Sequence, residues 1–266
     1  MPASYPAGLI KERGETLALS ATVASLGIPY GMQQAILYNP AFNFRAHFNP
    51  RIHNIVFYDA SAASGSRFKY GGSDTSLIAN LTDRDSTTGS GTTLDSMAVT
   101  NDYIYICLDK PTAGIRIDMT ASVNGTTNTM VGEYYKNDDT WAGLSVTDGT
   151  DSGGVSLAQD GSVTWTAVTD WKAIGLKDAL ETVATPLATE DAINTSGYWM
   201  RLYFTTAGLD ADTEIEEIWT LNNDTNRSYY RAGVEYEVSF DRRVVGALEA
   251  ILASGSDTLE ITWIGT

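Results

Sequence analysis

The chain has 266 residues, 43% of them apolar, and a formal net charge of −16 from 33 acidic and 17 basic residues. That apolar content suffices for a packed core and excludes disorder of the chain as a whole. The charge, with no Lys/Arg cluster anywhere along the sequence, excludes a phosphate-backbone binder, because binding nucleic acid needs concentrated cations to release counterions.

Residues 1–34 contain Pro2, Pro6 and Pro29 and no sustained strand pattern apart from Glu15 to Val23, so they are expected to form an extended N-terminal arm. Met1 to Pro6 lacks the basic start and apolar stretch of a secretory signal. No window reaches the ~18 apolar residues of a membrane span. The expectation is therefore a protein made in the cytoplasm, with no membrane partner.

From Ala35 the pattern changes to short apolar runs, Ala35 to Tyr38, Phe42 to Phe48 and Ile52 to Tyr58, punctuated by Pro40 and Pro50. The second run alternates aromatic with polar residues, as a half-buried antiparallel strand requires. A Gly/Ser/Thr/Asp-rich stretch from Asp83 to Leu94 reads as a connection. The next region, residues 95–221, holds the runs Tyr103 to Leu108, Ile115 to Val123, Gly132 to Tyr135, Gly143 to Thr147, Gly161 to Thr166 and Gly197 to Phe204. Between them stand Lys110-Pro111, Asn124-Gly125, Asn137-Asp138-Asp139, Asp148-Gly149 and Asp160-Gly161. Asn-Gly and Asp-Gly supply the positive φ of tight hairpin turns, so the region is expected to be a series of antiparallel pairings.

The last region contains Val234 to Phe240 and Leu259 to Ile264, which alternate like residues 35–58. Between them, Val244 to Leu252 has the composition of a helix of about two turns, closed by Ser254-Gly255. The predicted architecture is all-β: an antiparallel jelly-roll or β-sandwich domain over 95–221, joined to or inserted in a second β-rich domain made of 35–94 and 222–266.

Candidate chemistry is sparse. Cys107, the only cysteine, lies in an apolar run far in sequence from His47 and His53, and reads as a small buried hydrophobe. The dense carboxylates Asp138-Asp139, Asp210 with Asp212, and Glu214 with Glu216-Glu217 show no spacing that singles out an acid/base pair. Asp148 to Gly153 and Asp83-Arg84-Asp85 offer oxygen ligands of the kind calcium takes, without the helix–loop–helix of an EF-hand. The expectation is no enzyme and no cofactor, with calcium as the one metal to look for. Five Asn-X-Ser/Thr triplets, at Asn80, Asn124, Asn194, Asn223 and Asn226, read as loop composition. Five of the six tryptophans fall between Glu133 and Thr220. An exposed subset of the aromatic residues there would stack on sugar faces, and Trp171, Trp141 and Tyr135 are the candidate carbohydrate contacts. The competing expectation for each is core packing.

Glu133-Tyr134-Tyr135-Lys136, Trp141, Val146 to Thr150, Leu157 to Trp165, Asp170-Trp171-Lys172 and Gly197 to Leu202 together resemble the jelly-roll domains of tailed-bacteriophage virion proteins. The resemblance covers residues 95–221 and implies a capsid decoration, or cement, protein on the virion surface. Its implied partners are the major capsid protein and neighbouring copies of itself, as a trimer. The alternative it leaves open is a carbohydrate-binding module that attaches the particle to a host surface glycan.

Overall fold

The computed structural model describes residues 11–20, 24–28, 32–50, 52–61, 68–69, 81, 91–94, 97–99, 101–180, 195–221, 228–239, 245–252 and 255–265. In chain order the strands are β1 (Lys11–Ser20), β2 (Ala24–Gly27), β3 (Met32–Tyr38), β4 (Phe44–Pro50), β5 (Ile52–Tyr58), β6 (Phe68–Lys69), β7 (Thr92–Thr93), β8 (Tyr103–Leu108), β9 (Gly114–Met119) and β10 (Thr129–Tyr135). They continue with β11 (Trp141–Leu144), β12 (Thr147–Asp148), β13 (Gly161–Thr164), β14 (Ala173–Gly175), a short helix α1 (Leu176–Leu180), β15 (Ser196–Thr205) and β16 (Glu214–Leu221). The last four are β17 (Ser228–Tyr230), β18 (Tyr236–Ser239), β19 (Val245–Leu252) and β20 (Ser256–Gly265). The protein is all-β, and its described strand pairings are antiparallel.

Two compact units divide the chain, residues 1–49 with 224–266, and residues 50–223. In the first, one sheet has the order β1-β20-β3-β18 and the other β17-β4-β19-β2. Period-two alternation builds the core between them: Leu17 and Leu19, Ala35 and Leu37, and Leu259, Ile261 and Trp263 from one sheet meet Phe44 and Ala46 and Leu248, Ala250 and Leu252 from the other. The Trp263 indole N–H donates to Glu15 Oε2 at 2.8 Å, satisfying the one polar atom of a fully buried ring. After β3, the buried Asn39 side chain accepts from the Ala41 and Phe42 amides and donates to the Thr258 carbonyl, which fixes the turn at Pro40.

The second unit is also a two-sheet sandwich. One sheet runs β11-β10-β15-β8-β5-β6, with β14 beside β15, and the other runs β12-β13-β9-β16-β7. Ile104, Ile106 and Leu108, Met200, Leu202 and Phe204, and Met130 and Tyr134 from the larger sheet pack on Ile115, Ile117 and Met119, Val163, Ile215 and Ile218 of the smaller.

Four expectations change. The first concerns the arm over 1–34: residues 11–20 form a regular strand paired with β20 from Lys11↔Gly265 to Ser20↔Ser256, so their backbone groups belong to a sheet. Residues 24–27 likewise pair with β19. Second, the segment after Pro50 joins the middle unit and not the outer one, because β5 pairs with β8 and supplies Ile52, Ile55 and Phe57 to that core. Third, the described part of the expected helix, Val245–Leu252, is not helical. Over Val245–Leu252 it is a strand, flanked by β2 and β4, and pairing on both sides overrides the helix propensity of Ala-Leu-Glu-Ala. Fourth, Asn124-Gly125 closes no hairpin, since β9 and β10 lie in different sheets. The Asn124 amide instead donates to the Thr126 and Ser156 carbonyls and accepts from the Thr126 and Asp210 amides, pinning a crossover. Asn137 to Asp139 does form the β10–β11 hairpin turn, with Asp139 at φ 64°. The Asp83-Arg84-Asp85 loop lies outside the described residues.

Candidate functional site

Alternation along β10, β15 and β8 separates two faces of the larger sheet. Tyr134, Met200, Leu202 and Phe204 point into the sandwich, whereas Glu133 and Tyr135, Trp199, Arg201 and Tyr203, and Tyr103 and Tyr105 take the other face. Pairing aligns this second set into ranks: Glu133 stands opposite Arg201, and Arg201 opposite Tyr105, which stands opposite Val56. The neighbouring rank carries Trp141 opposite Tyr135, then Trp199 opposite Cys107. Leu176 and Leu180 of α1 cover part of the face, packing with Trp199, Cys107, Tyr105, Val56 and Phe68.

Arg201 is the centre of what remains. Its Nε and Nη2 donate to Glu133 Oε2 at 2.6 and 2.5 Å, and its guanidinium carbon lies 4.5 Å from the Tyr103 ring centroid and 4.4 Å from that of Trp141. Those contacts combine a charge-assisted pair with cation–π stacking on a side chain that is only 13% exposed. The rings also pack on each other: Tyr103 on Tyr203 at 5.6 Å, Tyr105 on Trp141 at 5.7 Å and Tyr135 on Trp141 at 5.5 Å. Burial pushes the Tyr105 phenol well above its usual range, an effect that Arg201 partly offsets. Burial also raises Tyr203, with Glu133 adding to it.

Of the three carbohydrate-contact candidates, the structure brings two together. Tyr135 and Trp141 are neighbours on the Arg201 face, but Tyr135 is fully buried and donates its hydroxyl to Asp139, leaving Trp141 half-buried as the ring that solvent reaches. Trp171 is a correction. It belongs to the sandwich core on the opposite face, 7% exposed, edge-on to Tyr134 at 5.4 Å, with its indole N–H donated to the Trp199 carbonyl at 3.0 Å. A ring so placed has neither a free face nor a free donor for a sugar. Sequence reasoning missed Arg201 and Glu133. The available signal was a basic residue inside the alternating run Tyr198 to Phe204, directly across from an acidic one.

The other candidates are engaged locally. Cys107 is buried, and burial, then Asp109, raises its thiol far above the reactive range. His53 is exposed, with Nδ1 3.2 Å from Asp109 Oδ1, and the His47 side chain is outside the described set. Asp138 holds Lys136 and Thr140, while Asp139 holds Lys172. Asp210 accepts from the Gly125 amide and the Thr126 hydroxyl, and Glu214 from the Thr93 and Thr120 hydroxyls. In the calcium candidate, Asp148 Oδ1 caps Thr150 and Asp151 accepts from the Gly154 amide; the second Asp148 oxygen has no protein donor, and one such oxygen does not make a cation site. Among the described residues no group of three His, Cys, Asp or Glu side chains is placed to hold a metal ion.

The arrangement is one of packing, with its charged group already paired to Glu133. No family model matches the chain, and no curated protein or solved structure matches it either.

Proposed function

We propose that this chain is a structural component of a tailed-phage virion, of the capsid decoration type, acting through protein–protein contacts with the major capsid protein and with copies of itself. The observation that carries this reading is where the aromatic residues go. Trp165, Trp171, Trp199, Trp219 and Trp263 are all buried, and Phe42, at 43%, is the most exposed aromatic ring among the described residues. Two sandwiches that bury five of the six tryptophans offer strand edges and a largely polar surface, which suits docking between folded subunits. The charge of −16 favours a place on the outer side of a shell, away from packaged nucleic acid. Purified chain mixed with emptied phage heads should bind them stoichiometrically and raise their melting temperature; absence of binding removes the proposal.

Host glycan binding is the second reading, favoured by one observation, the half-buried Trp141 beside Arg201 and Tyr103. It predicts glycan-array binding that Trp141→Ala abolishes while the fold persists. A clean array sinks it.

A further inference from the structure

We infer that one end of the sandwich formed by residues 1–49 and 224–266 is a self-association surface, on which a second copy of this chain docks the same end about a two-fold axis parallel to the sheets. The end is built by residues 39–43, which cross from β3 to β4, residues 231–235, which cross from β17 to β18, and Gly255 before β20. Hydrogen bonds hold these crossings together: the Gly233 amide donates to the Asn39 carbonyl at 2.8 Å, and the Ala232 amide to Asn43 Oδ1 at 2.9 Å. Beneath them lies the buried Asn39 carboxamide, already bonded to the Ala41 and Phe42 amides and the Thr258 carbonyl. A Cβ built on Gly255 would stand 3.9 Å from Phe42 Cε1, so the third turn abuts the first. On this frame Pro40, Ala41, Phe42 and Val234 are all exposed. Phe42 and Val234 are two of the four large apolar side chains exposed among the described residues, and the bond from Gly233 to Asn39 makes them neighbours. Apolar groups held in place at a tip are what the dry centre of an interface needs. β4 and β17 lead to residues 50–223 from their other ends, Pro50 and Ser228.

Charge chooses the partner and the axis. Phe44 and Ala46 are buried, so Arg45 points outward from the β17-β4-β19-β2 sheet, and the exposed Arg231 follows β17 in the same sheet. Leu259 and Ile261 are buried, so Glu260 points outward from the β1-β20-β3-β18 sheet, where the exposed Glu235 precedes β18 and the exposed Glu237 lies on it. One side of the tip is therefore basic and the other acidic. Among the described residues none of these five side chains is in an ion pair. A surface with two opposite halves is complementary to itself, as a two-fold contact requires. With the axis parallel to the sheets and perpendicular to the strands, the basic half of each copy meets the acidic half of the other. An axis normal to the sheets would set glutamates on glutamates and arginines on arginines, which repel.

This inference does not depend on the virion reading, and its test uses the purified full chain with no capsid present. An end-on contact of this kind belongs with small, weak interfaces, so the dimer is expected in sedimentation equilibrium at about 0.1 mM chain and low salt. Raising the salt to about 0.5 M should weaken it, since the charged halves are exposed and screened. Phe42→Glu should weaken the dimer about thirtyfold or more by placing two carboxylates at its apolar centre. Arg231→Glu should weaken it about tenfold, by turning an attractive contact repulsive twice over, and adding Glu235→Arg should restore it. Phe42, Arg231 and Glu235 are exposed, so each variant should keep the far-UV circular dichroism of the unmodified chain. A chain that sediments as a monomer or a trimer under these conditions overturns the inference, as does a dimer that Phe42→Glu or Arg231→Glu leaves unchanged. A monomer whose Phe42→Glu variant no longer binds emptied heads would assign this end to a different protein and overturn it equally.

Discussion

Trp171→Ala separates a core ring from a ligand platform. The side chain is 7% exposed, packs edge-on against Tyr134 and donates its N–H to the Trp199 carbonyl. Truncation removes that transfer free energy, leaves a cavity between the sheets and strips a donor from a buried carbonyl, for a cost of about 3–5 kcal/mol. With a urea m-value of about 2–3 kcal/mol per molar, the midpoint of the 50–223 unit should fall by roughly 1.5 M. Five of the six tryptophans lie in that unit, so fluorescence reports mainly on its transition. Trp171→Phe keeps most of the bulk but loses the N–H, and should cost about 1–2 kcal/mol. Trp141→Ala, at a half-buried position, should fall nearer the Phe variant than the Ala one. A Trp171→Ala midpoint within about 0.2 M of the unmodified protein would refute the core assignment.

Gly161→Ala should destabilise the same unit by about 1–3 kcal/mol, because its Cβ would collide with the backbone of Gly149; urea denaturation reads it, and a neutral result contradicts the packing of that turn. Asp210 has its pKa lowered by the Thr126 hydroxyl and then the Gly125 amide. Its folded value lies below its unfolded one, so its contribution is present above the ordinary carboxylate range and is lost as pH falls through the folded pKa. Asp210→Asn should therefore flatten the acid limb of the stability–pH curve, and an unchanged limb would remove Asp210 from the account. Arg201→Lys keeps the charge but loses the Nε–Nη2 pair of donors on Glu133 and the planar stack on Tyr103 and Trp141. It should cost about 1–2 kcal/mol, and a double-mutant cycle with Glu133→Gln should show coupling between the two; additivity would place the pair among solvent-screened contacts.

The all-β class was legible because alternation is local: Leu259, Ile261 and Trp263, or Met200, Leu202 and Phe204, announce a buried strand face without reference to a partner. Partnership was not legible. Residues 11–20 look like an arm until β20, far away in sequence, supplies the other half of the ladder. Val245–Leu252 carries helix-forming residues whose fate is decided by strands on both sides. Asn124-Gly125 has hairpin chemistry, but the hydrogen bonds of Asn124 reach Ser156 and Asp210, so its role is set by segments that no local window contains. The same limit governed the tryptophans. Trp171 and Trp141 are alike in sequence context, and only the side of the sheet to which each is carried distinguishes a core ring from a half-exposed one. Arg201 became visible as a site only once β10 and β8 were placed on either side of it.

Binding to emptied heads tests the central claim most directly. On the decoration reading, emptied tailed-phage heads incubated with purified chain and pelleted should retain it at a fixed ratio to the major capsid protein and melt at a higher temperature than bare heads. Heads that pellet without it, and melt unchanged, would contradict the decoration reading.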